Sequence, residues 1–242
     1  GGYIGVLVTN QTGSFGLAIL LAMIFVGICG MGIYKFAYEP ILKRPPFVTL
    51  IASIALFIAM EEIFRIIFGP YGISYVDPPL AGNLDFFGMN LKLGEAVVII
   101  FSLIMLLFLS WLSNHTRTGI AWRATVSDPD MAQAFGINKN KVRYLNFFVG
   151  SALTATAGVF VALLNNLVEP TMGAVPSYKG LAIIVLGGLG NIRGTLMASL
   201  LLGVVESYGT IYLGKILDRD AIAFGLLIII LMIRPKGIMG EN

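Results

Sequence analysis

The sequence predicts an all-α, polytopic transmembrane helical bundle, on three observations. Hydrophobic residues make up 57% of the 242 and charged residues only 12%, about half the charge of a soluble domain. Mean hydropathy is +0.88. Long apolar runs recur along the whole chain, continuous rather than alternating, which selects helices over a closed barrel as the spanning solution.

A hydrocarbon core of roughly 30 Å requires about 20 residues of helix. Ser14–Tyr34 contains no Asp, Glu, Lys or Arg. Pro46–Phe68 is apolar apart from a charged cluster near its end, and Ala96–Ser113 and Tyr144–Val168 are uncharged. Gly194–Leu213 carries one charge, Glu206, and Ala221–Ile233 is uncharged but short. A shorter run, Gly180–Gly190, spans only if its ends are drawn out. Counting Lys179–Gly190 as a short, broken crossing, residues 1–242 form a single transmembrane domain of about seven crossings. Gly1–Val8 begins without Met and reads as the tail of an earlier apolar span, so at least one further helix is expected upstream.

Orientation follows from the distribution of Lys and Arg. The stretch 114–143 carries Arg117, Arg123, Lys139, Lys141 and Arg143 against Asp128 and Asp130, and is placed in the cytoplasm. Of the 16 Lys and Arg, the seven-crossing arrangement then puts eleven inside and four outside, with Arg65 in a span. A re-entrant Lys179–Gly190 would send the basic tail outside instead.

Several chemistries are excluded. His115 is the only histidine and Cys29 the only cysteine, so a metal site of the usual ligand types and a Ser/His/Asp arrangement are both disfavoured. No catalytic cluster is visible, nor any basic and aromatic interleaving suited to nucleic acid. The glycines of Leu186–Gly194 lack the Gly-Lys-Ser/Thr ending of a phosphate loop. They are better suited to breaking a helix and letting backbones approach closely. No basic n-region of a signal peptide precedes the first run.

The remaining polar residues are candidates. Glu61 and Glu62 lie four and three residues before Arg65, so both carboxylates reach one guanidinium on a helix. Intramembrane charge is costly and defaults to a functional hypothesis; the plainer reading is pairing or snorkelling near the outer interface. Glu206 stands alone in mid-span and must face a bundle interior, a cavity or a partner, with packing and pathway roles equally open. In the cytoplasmic loop, Ser127 or Asp128 is placed to cap a short helix with Pro129 at its first position and Gly136 as its stop. Met131, Ala134 and Phe135 fall at i, i+3 and i+4, forming one apolar face that lies on the membrane or docks into another protein.

This loop carries a resemblance. Arg123-Ala124, Asp128, Ala132 and Gly136-Ile137-Asn138, at their spacing, are similar to the coupling loop of branched-chain amino-acid ABC transporter permeases of the LivH/LivM type. Glu169-Pro170-Thr171-Met172-Gly173, the stretch Lys179–Thr195 with its Gly187-Gly188-Leu189-Gly190, and the closing Arg234-Pro235-Lys236-Gly237-Ile238 follow in the family's order. Gly180, Leu181 and Asn191 depart from the family's usual Ala, Phe and Ser, changes that bear on substrate or subgroup.

The resemblance implies an importer permease subunit, not an enzyme, in the inner membrane of a prokaryote. It would pair with an identical or homologous permease, dock two cytoplasmic ATPase subunits and receive substrate from an extracytoplasmic binding protein, amid membrane lipid. ATP and Mg would be held by the ATPases, and no cofactor by this chain. Arg123, Ala124, Asp128, Ala132, Gly136, Ile137 and Asn138 would couple to the ATPase; Gly187, Gly188, Gly190 and Gly194 would form a broken helix at the gate. Glu61, Glu62, Arg65 and Glu206 are the candidate pathway residues. Branched-chain amino acids are the expected substrate, with urea or short-chain amides as the alternative. An ion-coupled secondary transporter using Glu61, Glu62 and Glu206 is the other class left open.

Overall fold

The computed structural model describes residues 1–242 except 43, 81, 87–88, 189–191, 215–218, 235–236 and 238–242. The chain divides into two compact units, Gly1–Thr171 and Met172–Asn242.

The first unit contains helices α1 (Gly2–Thr12), α2 (Phe15–Ile33), α3 (Pro46–Phe68), α4 (Leu93–His115), α5 (Arg117–Ser127), α6 (Pro129–Ala134) and α7 (Lys139–Asn165). Its core lies where α1 and α2 pack on α7. Ala22, Ala155 and Val159 are buried there, flanked by Ile4, Phe15, Ile19 and Val26. Small residues permit this closeness: Gly27 leaves room for the Phe148 ring and Gly30 for Ser151, as expected where van der Waals packing drives helix association in lipid. By contrast, none of the described α3 side chains is buried, and in α4 only Gly94 is. Their apolar surfaces, including Leu50, Ile54, Ile100 and Leu107, face outward, as surfaces suited to lipid do.

The structure corrects one boundary. The apolar run Tyr144–Val168 does not continue as helix to its end: Asn166 takes a left-handed conformation at φ 52° and stops α7. Asn adopts this region more readily than bulky residues. Leu167–Val168 then form a two-residue strand, β4, antiparallel to β1 (Ile73–Ser74), while β2 (Asn83–Phe86) and β3 (Met89–Lys92) form a hairpin before α4. Asn10 fastens α1 to this region, donating from Nδ2 to the Ser74 carbonyl at 3.2 Å and accepting from the Val76 amide at 3.1 Å. Tyr75 is 4% exposed, and burial pushes its phenol up to about 12.

The second unit contains α8 (Ala174–Gly187), α9 (Ile192–Leu213) and α10 (Arg219–Ile233). Its core is formed by Ala182, Leu186, Ala198, Leu202, Ile222 and Ala223, and Tyr178 stacks on Phe224 at 5.5 Å. Helix α8 begins at Ala174, ahead of the expected start at Lys179, so Lys179 lies within the helix rather than at its entrance.

Among the described residues, five helical segments are long and apolar enough to cross a membrane: Phe15–Ile41, Phe47–Phe68, Leu93–His115, Lys139–Asn165 and Gly194–Tyr212. The chain is thus an all-α polytopic membrane protein. Helices α8 and α10, at 14 and 15 residues, are shorter.

Candidate functional site: the loop between α4 and α7 and the glycine break of α8

The loop is a tightly capped double turn. Thr116 ends α4 and opens α5, its hydroxyl accepting from the Gly119 amide at 3.1 Å. Arg123 reaches back, donating from Nη1 to Asn114 Oδ1 at 3.2 Å. Asp128 serves two helices: its amide donates to the Ala124 carbonyl at 3.0 Å, closing α5. Its Oδ1 accepts from the amides of Asp130 and Met131 at 3.0 and 2.9 Å, opening α6. This is an aspartate N-cap with Pro129 at the first helical position, so Asp128 rather than Ser127 caps the helix.

Helix α6 stops where Gly136 takes φ 84°. The Gly136 amide donates to Gln133 and the Ile137 amide to Ala132, each at 3.0 Å, a left-handed closing turn of the kind that favours glycine. Asn138 then caps α7, accepting from the Asn140 and Lys141 amides at 3.1 Å. Lys139 Nζ stands 3.5 Å from Asp130 Oδ1 and braces the turn.

The structure brings all seven expected coupling residues into this one turn, but in three roles. Asp128, Gly136 and Asn138 set its shape, Ala124, Ala132 and Ile137 take part through backbone bonds, and Arg123 ties it to α4. The presented surface belongs to other side chains: Phe135 is 83% exposed, Val126 81% and Met131 59%. The i, i+3, i+4 pattern identifies Met131, Ala134 and Phe135 as a face; Val126 lies outside that pattern.

In the second unit, α8 ends at Gly187, and Gly188 follows at φ 97°. Gly187 lies against the backbone of Gly194 and Thr195; a Cβ there would stand 2.6 Å from the Gly194 carbonyl carbon. Gly190 lies outside the described residues, as do Pro235, Lys236 and Ile238 of the closing motif. Gly237 packs against the end of α8, beside Gly188, Val185 and Leu186.

Glu206 is 4% exposed, and Lys179 Nζ lies 2.8 Å from its Oε1. Sequence reasoning does not select Lys179 as a partner, because it is 27 positions away on another helix. Glu61, Glu62 and Arg65 pair on their own helix: Arg65 Nη1 is 2.7 Å from Glu62 Oε1 and Nη2 3.2 Å from Glu61 Oε1. Among the described residues, no three of His, Cys, Asp and Glu gather as metal ligands would.

A family model described as branched-chain amino acid transport system / permease component matches residues 1–233. The high-affinity branched-chain amino acid transport system permease protein LivH of Salmonella typhimurium is 30% identical over 224 residues, covering 91% of this chain and 72% of its own. The corresponding permease protein BraD of Pseudomonas aeruginosa is 30% identical over 230 residues, covering 93% and 74%. A probable branched-chain amino acid transport permease protein LivH of Methanocaldococcus jannaschii is 30% identical over 247 residues, covering 94% and 76%. No solved structure matches the chain.

Proposed function

The chain belongs to the permease-component family of branched-chain amino acid transport systems, and from that premise we propose that it is one permease half of an ATP-driven importer of branched-chain amino acids. The observation that carries this reading is the capped loop, which holds Val126, Met131 and Phe135 in the open. A short rigid helix presenting apolar anchors is suited to a groove on another protein. In the seven-crossing arrangement, the five long spans with α8 and α10, this loop faces the cytoplasm, where the two ATPase subunits would receive it.

The chain itself breaks no bond. ATP and Mg belong to the ATPases, whose closure would move the loop and switch the spans from outward to inward access as packed bodies. A second permease completes the pathway, a binding protein delivers substrate on the opposite face, and lipid covers the open faces of α3 and α4. Gly188, at φ 97° where α8 ends, supplies irregular backbone at the gate, which a membrane tolerates only where protein or water surrounds it, and Gly187 meets Gly194 across the break. The Lys179–Glu206 pair ties α8 to α9 more than two helical turns from that break. The Glu61/Glu62/Arg65 group is self-paired, which favours ATP drive over an ion-coupled pathway.

The substrate is tested in vesicles carrying the full transporter with internal ATP. Uptake of labelled leucine competed by isoleucine and valine, and not by urea, is expected. Competition by urea or acetamide instead would transfer the substrate to short amides.

A further inference from the structure

A second feature of the first unit packs against α7, the helix that follows the loop, and is not explained by the loop's caps. Helix α2 does not run directly into α3. It widens into a π-helical turn, Tyr34–Tyr38, and then tightens into a 3-10 turn, Glu39–Ile41. Wide turns of this kind are rare and concentrate at functional positions.

This segment is held against α7. Tyr34 is 1% exposed and sits edge-on to Tyr144 at 4.8 Å and beside Phe147 at 4.7 Å. Tyr38 packs on Phe147 at 5.3 Å. Across the 3-10 turn, the Tyr144 hydroxyl donates to Glu39 Oε2 at 2.7 Å, a bond between residues 105 positions apart.

Tyr144 lies six residues beyond the Asn138 cap, or about 9 Å along the helix. A displacement of α6 that tilts the first turns of α7 therefore carries Tyr144 with it. At the other end of the bond, Glu39 opens the 3-10 turn that precedes α3. That helix buries none of its described side chains. Near its far end, Tyr3 stacks on Phe64 and Phe68 at 5.2 and 4.3 Å. A pull on Glu39 thus acts ahead of a helix with little other packing in this unit, and the π-helical turn before Glu39 gives the pulled segment a place to bend away from α2.

We propose that the Tyr144–Glu39 hydrogen bond is the contact through which movement of the coupling loop reaches α3, with the π-helical segment Tyr34–Tyr38 as its hinge. Tyr144 and Glu39 are positioning residues, touching neither substrate nor nucleotide. The proposal rests on the loop being the ATPase-docking element.

The test uses the complete transporter, this chain with its partner permease, ATPases and binding protein, in proteoliposomes. The readout is substrate moved per ATP hydrolysed. Tyr144→Phe removes one hydroxyl and is expected to lower that ratio at least fivefold, with ATP hydrolysis within twofold of wild type and the complex still co-purifying. Glu39→Ala should do the same. Glu39→Gln retains an acceptor and should stay within twofold of the normal ratio, a rescue that a purely structural role for the charge would not produce. A normal ratio in Tyr144→Phe overturns the proposal. So does loss of assembly in both Tyr144→Phe and Glu39→Ala, which would make the bond structural. Failure of the wild-type complex to move substrate with ATP would instead sink the functional reading beneath it.

Discussion

Gly136 is the residue on which the loop's shape depends most directly. At φ 84° a side chain costs roughly 1–2 kcal/mol, and the surrounding space is open, so the penalty is conformational rather than a collision. Gly136→Val is expected to leave the chain inserted and assembled while transport per ATP falls about tenfold; normal transport by this variant would remove the loop from the coupling role. The Lys179–Glu206 pair makes a different kind of prediction. Removing one partner from a buried ion pair costs about 3–5 kcal/mol, whereas replacing both with apolar groups of similar volume costs far less. Thermal unfolding in detergent should therefore show Lys179→Met much less stable than Lys179→Met/Glu206→Leu. Equal loss in the two variants would contradict the pairing. Tyr75 supplies a pH dependence. Its phenol is raised from 10 to about 12 in the folded chain, so stability does not depend on this group below pH 10 and falls as pH climbs from 10 towards 12, where only the unfolded chain readily gives up the proton. Its hydroxyl is buried and has no partner among the described residues. Tyr75→Phe should match or exceed wild-type stability at pH 8, and exceed it by about 1 kcal/mol at pH 11. A Tyr75→Phe chain that loses more than wild type between these pH values would be evidence against that burial.

At the scale of elements, the break between α8 and α9 is the feature most exposed to substitution. A leucine at position 187 would drive its Cβ into the backbone of Gly194 and Thr195, with Gly194 C at 2.6 Å, and backbone cannot yield as a flexible side chain can. Gly187→Leu is expected to abolish the monodisperse detergent-solubilised peak in size-exclusion chromatography; an unchanged peak would show that the break is looser than the structure has it. The spans themselves were legible because each is a continuous apolar run, and α3 matches its run, Pro46–Phe68, residue for residue. The end of α7 was not legible: Leu167 and Val168 are as apolar as the helix before them, and only the left-handed turn at Asn166, secured by pairing with β1, removes them from it. The α6 caps were legible because capping is local chemistry, written in Asp128-Pro129 and Gly136. The Lys179–Glu206 and Tyr144–Glu39 pairs were not, since each joins residues on different elements and depends on packing that no periodicity encodes. The motifs that resembled the permease family did identify the family, because their order along the chain is more specific than any one of them.

At the scale of the whole molecule, composition, spans and family agree on a multi-pass membrane permease, and the proposed function turns on what drives it. A chain whose described acidic residues include one pair bound to Arg65 and one bound to Lys179 offers little free intramembrane carboxylate for ion coupling. It presents instead an exposed apolar knob of Val126, Met131 and Phe135, which the proposed function assigns to an external motor. The most direct measurement is uptake of labelled leucine into vesicles containing this chain and its partner permease, with and without the ATPase subunits. The binding protein is present outside, and ATP and an imposed ion gradient are supplied separately. Uptake that requires both the ATPases and internal ATP, and ignores the gradient, is the predicted result. Uptake driven by the gradient without ATPase subunits would contradict it.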